Sequence, residues 1–332
     1  MKIYKLLLLA LMTFHSPFAQ SKKINGISFV ASHATIDAKH VQPILAVNGN
    51  YVALMPFGFI RELKNPNIQY NSSRQWFGET KKGLAHYANE FKKAKVKVMV
   101  KPQIWVSRGL YTGYIEMKSE ENWKLLEDSY EKFILDYAEI AEKMNAEILC
   151  IGTELEKFVA QRPKYWSSLI SKIKKVYRGK LTYAANWDEF KRVPFWKQLD
   201  FIGVDAYFPL SDEKTPTIAE FEKGWKRHKK EILKIQQENN KQILFTEFGY
   251  RSVDFTGKKP WESNRVQGSV NLVAQKNATQ AIYNQFWKED WFAGGFIWKW
   301  FHNHEKSGGE DNNRFTPQNK PTEELIRKLY AQ

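Results

Sequence analysis

Residues 242–251 read Gln-Ile-Leu-Phe-Thr-Glu-Phe-Gly-Tyr-Arg. The short apolar run ends abruptly in a carboxylate, Glu247, followed by an aromatic residue and a glycine. Such a run reads as a buried strand whose C-terminal end delivers a polar side chain into a cleft. The design recurs at 147–154, Glu-Ile-Leu-Cys-Ile-Gly-Thr-Glu, where Glu154 closes the apolar stretch. A lone strand-end carboxylate often only caps the next helix or pairs with a lysine, because buried charges are usually paired. Two of them, in the same relation to their strands, point to glycoside cleavage. There one carboxyl protonates the leaving oxygen and the other attacks the anomeric carbon.

Outward from these segments the chain alternates. Strand signals fall at 24–31, 51–60, 96–103, 147–154, 180–186, 199–207, 242–247 and 291–300. Amphipathic helical patterns at 80–94, 123–144, 165–177, 221–239, from about 271 onward and at 322–330 separate most of them. Eight strands so interleaved predict an α/β fold, a single (β/α)8 TIM barrel, with all strand C-termini on one face. The 332 residues, 43% of them apolar, suffice for one such core. The Gly-, Asn- and Pro-rich stretch 307–321 reads as a mobile loop near the cleft.

Residues 1–19 carry Lys2 and Lys5, then an apolar stretch, then Ser16-Pro17-Phe18-Ala19. This is the pattern of a cleaved secretory signal, so a secreted or periplasmic protein is expected, with residues 20–332 as the catalytic domain. No later run is apolar enough to span a bilayer. Cys150 is the one cysteine, so no intrachain disulfide can form. Losing Lys2 and Lys5 lowers the formal charge from +15 to +13. The lysines are spread over helix-like segments, which reads as a solvated face; no nucleic-acid motif accompanies them. His302, His304 and Glu305 match no strong metal spacing, so neither metal nor cofactor is expected. A monomer is expected, with an oligosaccharide or polysaccharide as its partner.

Strands four and seven face each other across a barrel rim. Glu154 and Glu247 can therefore approach within the roughly 5 to 5.5 Å that a retaining mechanism requires, with Glu247 as nucleophile and Glu154 as acid/base. Tyr207, at the end of the sixth strand, is placed to hydrogen-bond Glu247. Lys101, Gln103, Asn186, Asp205 and His33 stand at strand ends as candidate contacts to sugar hydroxyls. Aromatic residues make up 15% of the chain, including 12 Trp; Trp105, Trp187 and Trp300 are candidates for stacking on sugar faces.

The segments Ile151-Gly152-Thr153-Glu154 and Phe245-Thr246-Glu247-Phe248-Gly249-Tyr250 resemble those of clan A glycoside hydrolases. So do Val-Lys-Pro-Gln at 100–103, Phe-Ile-Gly-Val-Asp-Ala-Tyr at 201–207 and Gly-Phe-Ile-Trp at 295–298. Within the clan the chain is most similar to glycoside hydrolase family 113, over essentially its whole mature length. The resemblance implies endo-β-1,4-mannanase activity, with Glu154 as acid/base, Glu247 as nucleophile, Tyr207 as its partner and Trp298 as the platform under the sugar. One position departs: many clan members carry Asn before the acid/base, where it binds the sugar 2-hydroxyl, and here it is Thr153. Two alternatives stand beside this reading. The same barrel can act on another β-glycan, a β-glucan or β-galactan, or the chain can be a carbohydrate-binding protein without catalysis.

Overall fold

The computed structural model describes residues 23–263 and 267–332; the expected signal segment, 1–19, lies outside them. Eight strands close a barrel: β1 (Ile24–Phe29), β2 (Tyr51–Leu54), β3 (Lys97–Val100), β4 (Ile148–Thr153), β5 (Lys180–Asn186), β6 (Phe201–Asp205), β7 (Gln242–Phe248) and β8 (Phe292–Trp300). Every strand pairs in parallel with its sequence neighbours, and β8 returns to β1 with Ile27 opposite Ile297.

Around the barrel lie α1 (Ala38–Ala46), α2 (Lys81–Lys93), α3 (Glu120–Lys143), α4 (Glu156–Gln161), α5 (Pro163–Val176), α6 (Ile218–Asn239), α7 (Leu272–Phe286) and α8 (Pro321–Tyr330). Several begin at side-chain caps that satisfy the free N–H groups of the first turn: Thr80 for α2, Ser119 for α3, Thr217 with Glu220 for α6 and Asn271 for α7. The link from β5 to β6 carries only two 3-10 turns, Phe190–Arg192 and Trp196–Gln198. Alternation along the strands divides the core. Met99, Ile148, Cys150, Leu244 and Phe296 belong to a small cluster drawn from strand residues, which fills the barrel. Neighbours such as Val98, Leu149 and Ile243 pack outward against the helices. Close strand packing fixes Gly203 on β6, where a Cβ would stand 2.1 Å from the Tyr183 carbonyl oxygen of β5.

Two strands are shorter than their sequence suggested. The 51–60 run breaks at Met55-Pro56, and the 96–103 run at Lys101-Pro102. Beyond the breaks the same two chains pair again, as a parallel ribbon of Phe57–Ile60 and Gln103–Val106, with Gln69–Tyr70 added antiparallel. Lys101 and Gln103 donate their N–H groups to Leu54 and Pro56 at 2.9 Å. The intervening Pro102 therefore occupies the position that would donate toward β4, and it has no N–H to give. The β3–β4 ladder accordingly ends at Val100–Leu149, and the ribbon leans away as a wall over the barrel mouth.

The 307–321 stretch is more firmly held than its composition suggested. Gln318 is buried, donating to Phe301 O at 3.0 Å and accepting from Phe301 N at 2.7 Å. Lys320 Nζ donates to Ser252 Oγ at 2.9 Å and to the Arg314 carbonyl at 2.8 Å. Phe315 packs edge-on against Tyr207 with ring centroids 5.9 Å apart.

Candidate active site

Both strand-end glutamates leave their strands at irregularities in the ladder. On β4 the pairing with β5 slips between Cys150 and Thr153, and on β7 the pairing with β6 slips between Phe245 and Glu247. A bulge re-aims the next side chain, and here it turns each carboxyl toward the barrel mouth. The carbonyls freed on β4 find other donors: Tyr130 hydroxyl to Ile151 O at 2.8 Å and Cys150 Sγ to Gly152 O at 3.1 Å. Glu154 itself has φ +50°, an uncommon left-handed conformation for a residue with a side chain. The turn is held by its N–H donating to Ala184 O at 2.8 Å and its carbonyl accepting from Thr112 Oγ1 at 3.2 Å.

The floor of the site is a buried charge cluster. The Lys101 ammonium lies 3.1 and 3.2 Å from the Asp205 oxygens and donates a short hydrogen bond to Glu247 Oε1. Burial disfavours the ammonium, but Asp205 and Glu247 outweigh it and hold the lysine charged, above its ordinary range. Asp205 also accepts Thr246 Oγ1 at 2.7 Å. Glu247 Oε1 accepts Gln103 Nε2 at 3.2 Å, and Oε2 accepts the Tyr207 hydroxyl at 2.7 Å. Two oxygens that accept from an ammonium, an amide and a phenol have the hydrogen-bond inventory of a carboxylate.

Glu154 has a different environment. Among the described residues no side chain hydrogen-bonds its carboxyl. Burial pushes it well above the ordinary carboxylate range, and repulsion from Asp205 and Glu247 adds to the push. Asp205 is likewise pushed up, by burial and then by Glu247, to about 7. Glu154 and Glu247 thus differ in environment: Glu247 is saturated with hydrogen-bond donors, whereas burial and its acidic neighbours push Glu154 toward its protonated form.

Glu154, Asp205 and Glu247 line one cavity of about 740 Å³ with Thr153, Gln103, Trp105 and Trp298. The candidates Lys101, Tyr207, Asn186 and Trp187 are not part of this lining. Lys101 is wholly buried, with its ammonium committed to two carboxylates, so the expected sugar contact gives way to a supporting position. Tyr207 reaches the site through Glu247. Asn186 touches it through Tyr111, donating to that hydroxyl at 3.2 Å. Trp187 is stacked on Trp261 with centroids 5.3 Å apart and faces Phe208 instead, and Trp300 is fully buried. His33 sits outside the lining, 4.9 Å from the Trp76 ring. Among the described residues no cluster suited to a metal ion exists, and His304 is bonded to Glu323 at 2.7 Å.

Sequence reasoning missed Phe57, Phe59, Trp76, Tyr111, Thr112 and Lys299, which also line the cavity. Lys299 follows Trp298 across a cis peptide bond, and its ammonium lies 5.3 Å from that ring's centre. Phe57 and Phe59 belong to the ribbon; the proline after an apolar run was its available signal. Tyr111 and Thr112 lie on an irregular loop, where no periodicity marks them.

A closed parallel barrel with strand-end glutamates from β4 and β7 in one aromatic-walled cleft is the architecture of a glycoside hydrolase. Residues 30–320 match Glycoside Hydrolase Family 113, and the chain belongs to that family. Solved structures share the fold. The GH113 β-mannanase AaManA from Alicyclobacillus acidocaldarius, in complex with ManMIm, is 24% identical with a TM-score of 0.81, covering 93% of this chain and 97% of that one. A second GH113 β-1,4-mannanase is 22% identical with a TM-score of 0.82, over 94% and 99% of the two chains. The Ruminococcus gnavus β-glucuronidase is more distant, 12% identical with a TM-score of 0.61 over 93% of this chain and 50% of that one. No curated protein matches the chain.

Proposed function

We propose that this glycoside hydrolase cleaves internal β-1,4-mannosidic bonds of mannan by double displacement, with retention of configuration. The carrying observation is the contrast between Glu154 and Glu247 in one cavity. Glu247, held by Lys101, Gln103 and Tyr207, attacks the anomeric carbon from one face while the proton kept on Glu154 passes to the departing oxygen. Glu154, now ionised, then takes a proton from the water that hydrolyses the glycosyl-enzyme. Trp298 and Trp105 offer faces on which sugar rings stack. Mannan is favoured because similar GH113 structures are described as β-mannanases. The sequence of residues 1–19 favours export.

The test is reducing-sugar release from β-mannan, glucomannan, β-glucan and galactan, with Glu247→Ala alongside. Release from mannan that vanishes in the variant supports the reading. Release from another glycan that vanishes likewise keeps the mechanism and replaces the substrate. Sugar binding without release favours a binding protein. Proton NMR of the first-formed product reports the stereochemistry, and an inverted anomer would refute double displacement.

A further inference from the structure

Glu189 lies outside the cavity and has no part in the chemistry above, yet it is 1% exposed. Its Oε1 accepts the Tyr183 hydroxyl at 2.8 Å and its Oε2 the Asn186 N–H at 3.1 Å. Among the described residues it makes no ion pair: the nearby Arg192 is engaged by Glu156 and by the Asp188 carbonyl. A buried carboxylate without a cation is costly, and closing the short 186–189 turn does not require one.

The connections of its two partners give it a use. Tyr183, while donating to Glu189, accepts the N–H of Leu155 at 2.7 Å. Leu155 directly follows Glu154, so this bond pins the far side of the left-handed turn that aims the Glu154 carboxyl. Asn186, whose N–H Glu189 holds, passes its side-chain amide to the Tyr111 hydroxyl, and Tyr111 lines the cavity with Glu154. One carboxylate thus braces Glu154 from beneath through Leu155 and steadies the tyrosine in the same cavity.

We infer that Glu189 is a positioning residue for Glu154, fixing its turn through the hydrogen bonds of Tyr183. The inference rests on reading Glu154 as the acid/base. Glu154 is faced by Asp205, Glu247, Lys101 and Glu189, and the hydroxyls of Tyr111 and Tyr207 are close. Glu189 is faced by Tyr183, Glu156 and Arg192. Burial pushes Glu189 itself up to about 8, so its effect on Glu154 runs through the hydrogen-bonded brace.

The experiment compares Glu189→Gln, Glu189→Ala, Tyr183→Phe and Glu154→Gln with the parent protein, on the best polysaccharide of the panel and on a dinitrophenyl glycoside of the same sugar. Tyr183→Phe and Glu189→Ala are expected to lower kcat on the polysaccharide by up to about 100-fold with little change in KM. On the dinitrophenyl substrate, whose leaving group needs no proton, kcat/KM falls less. Glu189→Gln keeps the size of the side chain but can accept only one of its two hydrogen bonds, so its loss of turnover is expected to fall between those of the parent protein and Glu189→Ala. If Glu189→Ala fails to fold, Tyr183→Phe and Glu189→Gln carry the comparison. Folded variants with equal losses on both substrates overturn the proposal while Glu154→Gln is inactive on the polysaccharide. An active Glu154→Gln would instead overturn the reading of Glu154 beneath it.

Discussion

The Lys101 ammonium lies 3.1 and 3.2 Å from the two oxygens of Asp205, and neither side chain is more than 1% exposed. The same ammonium donates to Glu247, so a structural ion pair of the barrel and the proposed nucleophile share one cation. Glu247 therefore satisfies two readings of a strand-end carboxylate together: it pairs with a lysine, and it faces the cleft.

Replacing Lys101 by Met leaves Asp205 and Glu247 buried without their cation. Unfolding free energy is expected to drop by about 3–5 kcal/mol, read as the shift of the urea midpoint, with hydrolysis lost as well.

Tyr207→Phe removes one hydroxyl, the donor to Glu247 Oε2 at 2.7 Å. A hydrogen bond to a charged group is worth about 1.5–3 kcal/mol, so kcat is expected to fall roughly 10- to 100-fold. Steady-state kinetics check this. A rise confined to KM would place Tyr207 in sugar binding instead.

The Thr153 hydroxyl is buried and, among the described residues, has no hydrogen-bond partner, although Thr153 lines the cavity. Thr153→Val should leave thermal stability unchanged or slightly raised, because an unsatisfied hydroxyl costs about 1–3 kcal/mol when buried. A simultaneous drop in kcat/KM would show that this hydroxyl meets the substrate, at the position where many related barrels carry asparagine.

Burial raises Glu154, so the folded protein binds this proton more tightly than the unfolded chain does. Stability from this group is fully present below the ordinary carboxylate range of about 4 and is lost as pH rises through the elevated folded value. Glu154→Gln removes the ionisation. Denaturant melts are expected to show the variant gaining on the parent protein as pH rises from about 5 to 8, with no such gain at pH 4.

The barrel was legible because its strands are short apolar runs punctuated by polar ends, and Glu154 and Glu247 lie where those runs stop. What stayed hidden depends on three-dimensional partners. The ribbon was fused into its strands because Phe57-Gly-Phe-Ile continues the apolar character of Tyr51-Val-Ala-Leu, and only the proline between them marks the departure. Helix α1 was overlooked because Pro43 interrupts its pattern, although Asp37 caps it. Strand-end position brought Lys101 correctly to the barrel mouth but left its level open; burial between Asp205 and Glu247 decides that. Tryptophan content could not separate Trp298 and Trp105, which face the cavity, from Trp187 and Trp300, which do not.

Lys101 and Gln103 grip the same oxygen of Glu247, one as an ammonium and one as an amide, from a chain that has only Pro102 between them. The spacing acts as a ruler. Gain or loss of a single residue there would carry one donor off the carboxylate and shift the ribbon's pairing with Phe57–Ile60 in the same stroke. Length at this point of the chain is therefore constrained twice over, and variation in how such a cleft is shaped is expected to enter beyond Val106, in the loops.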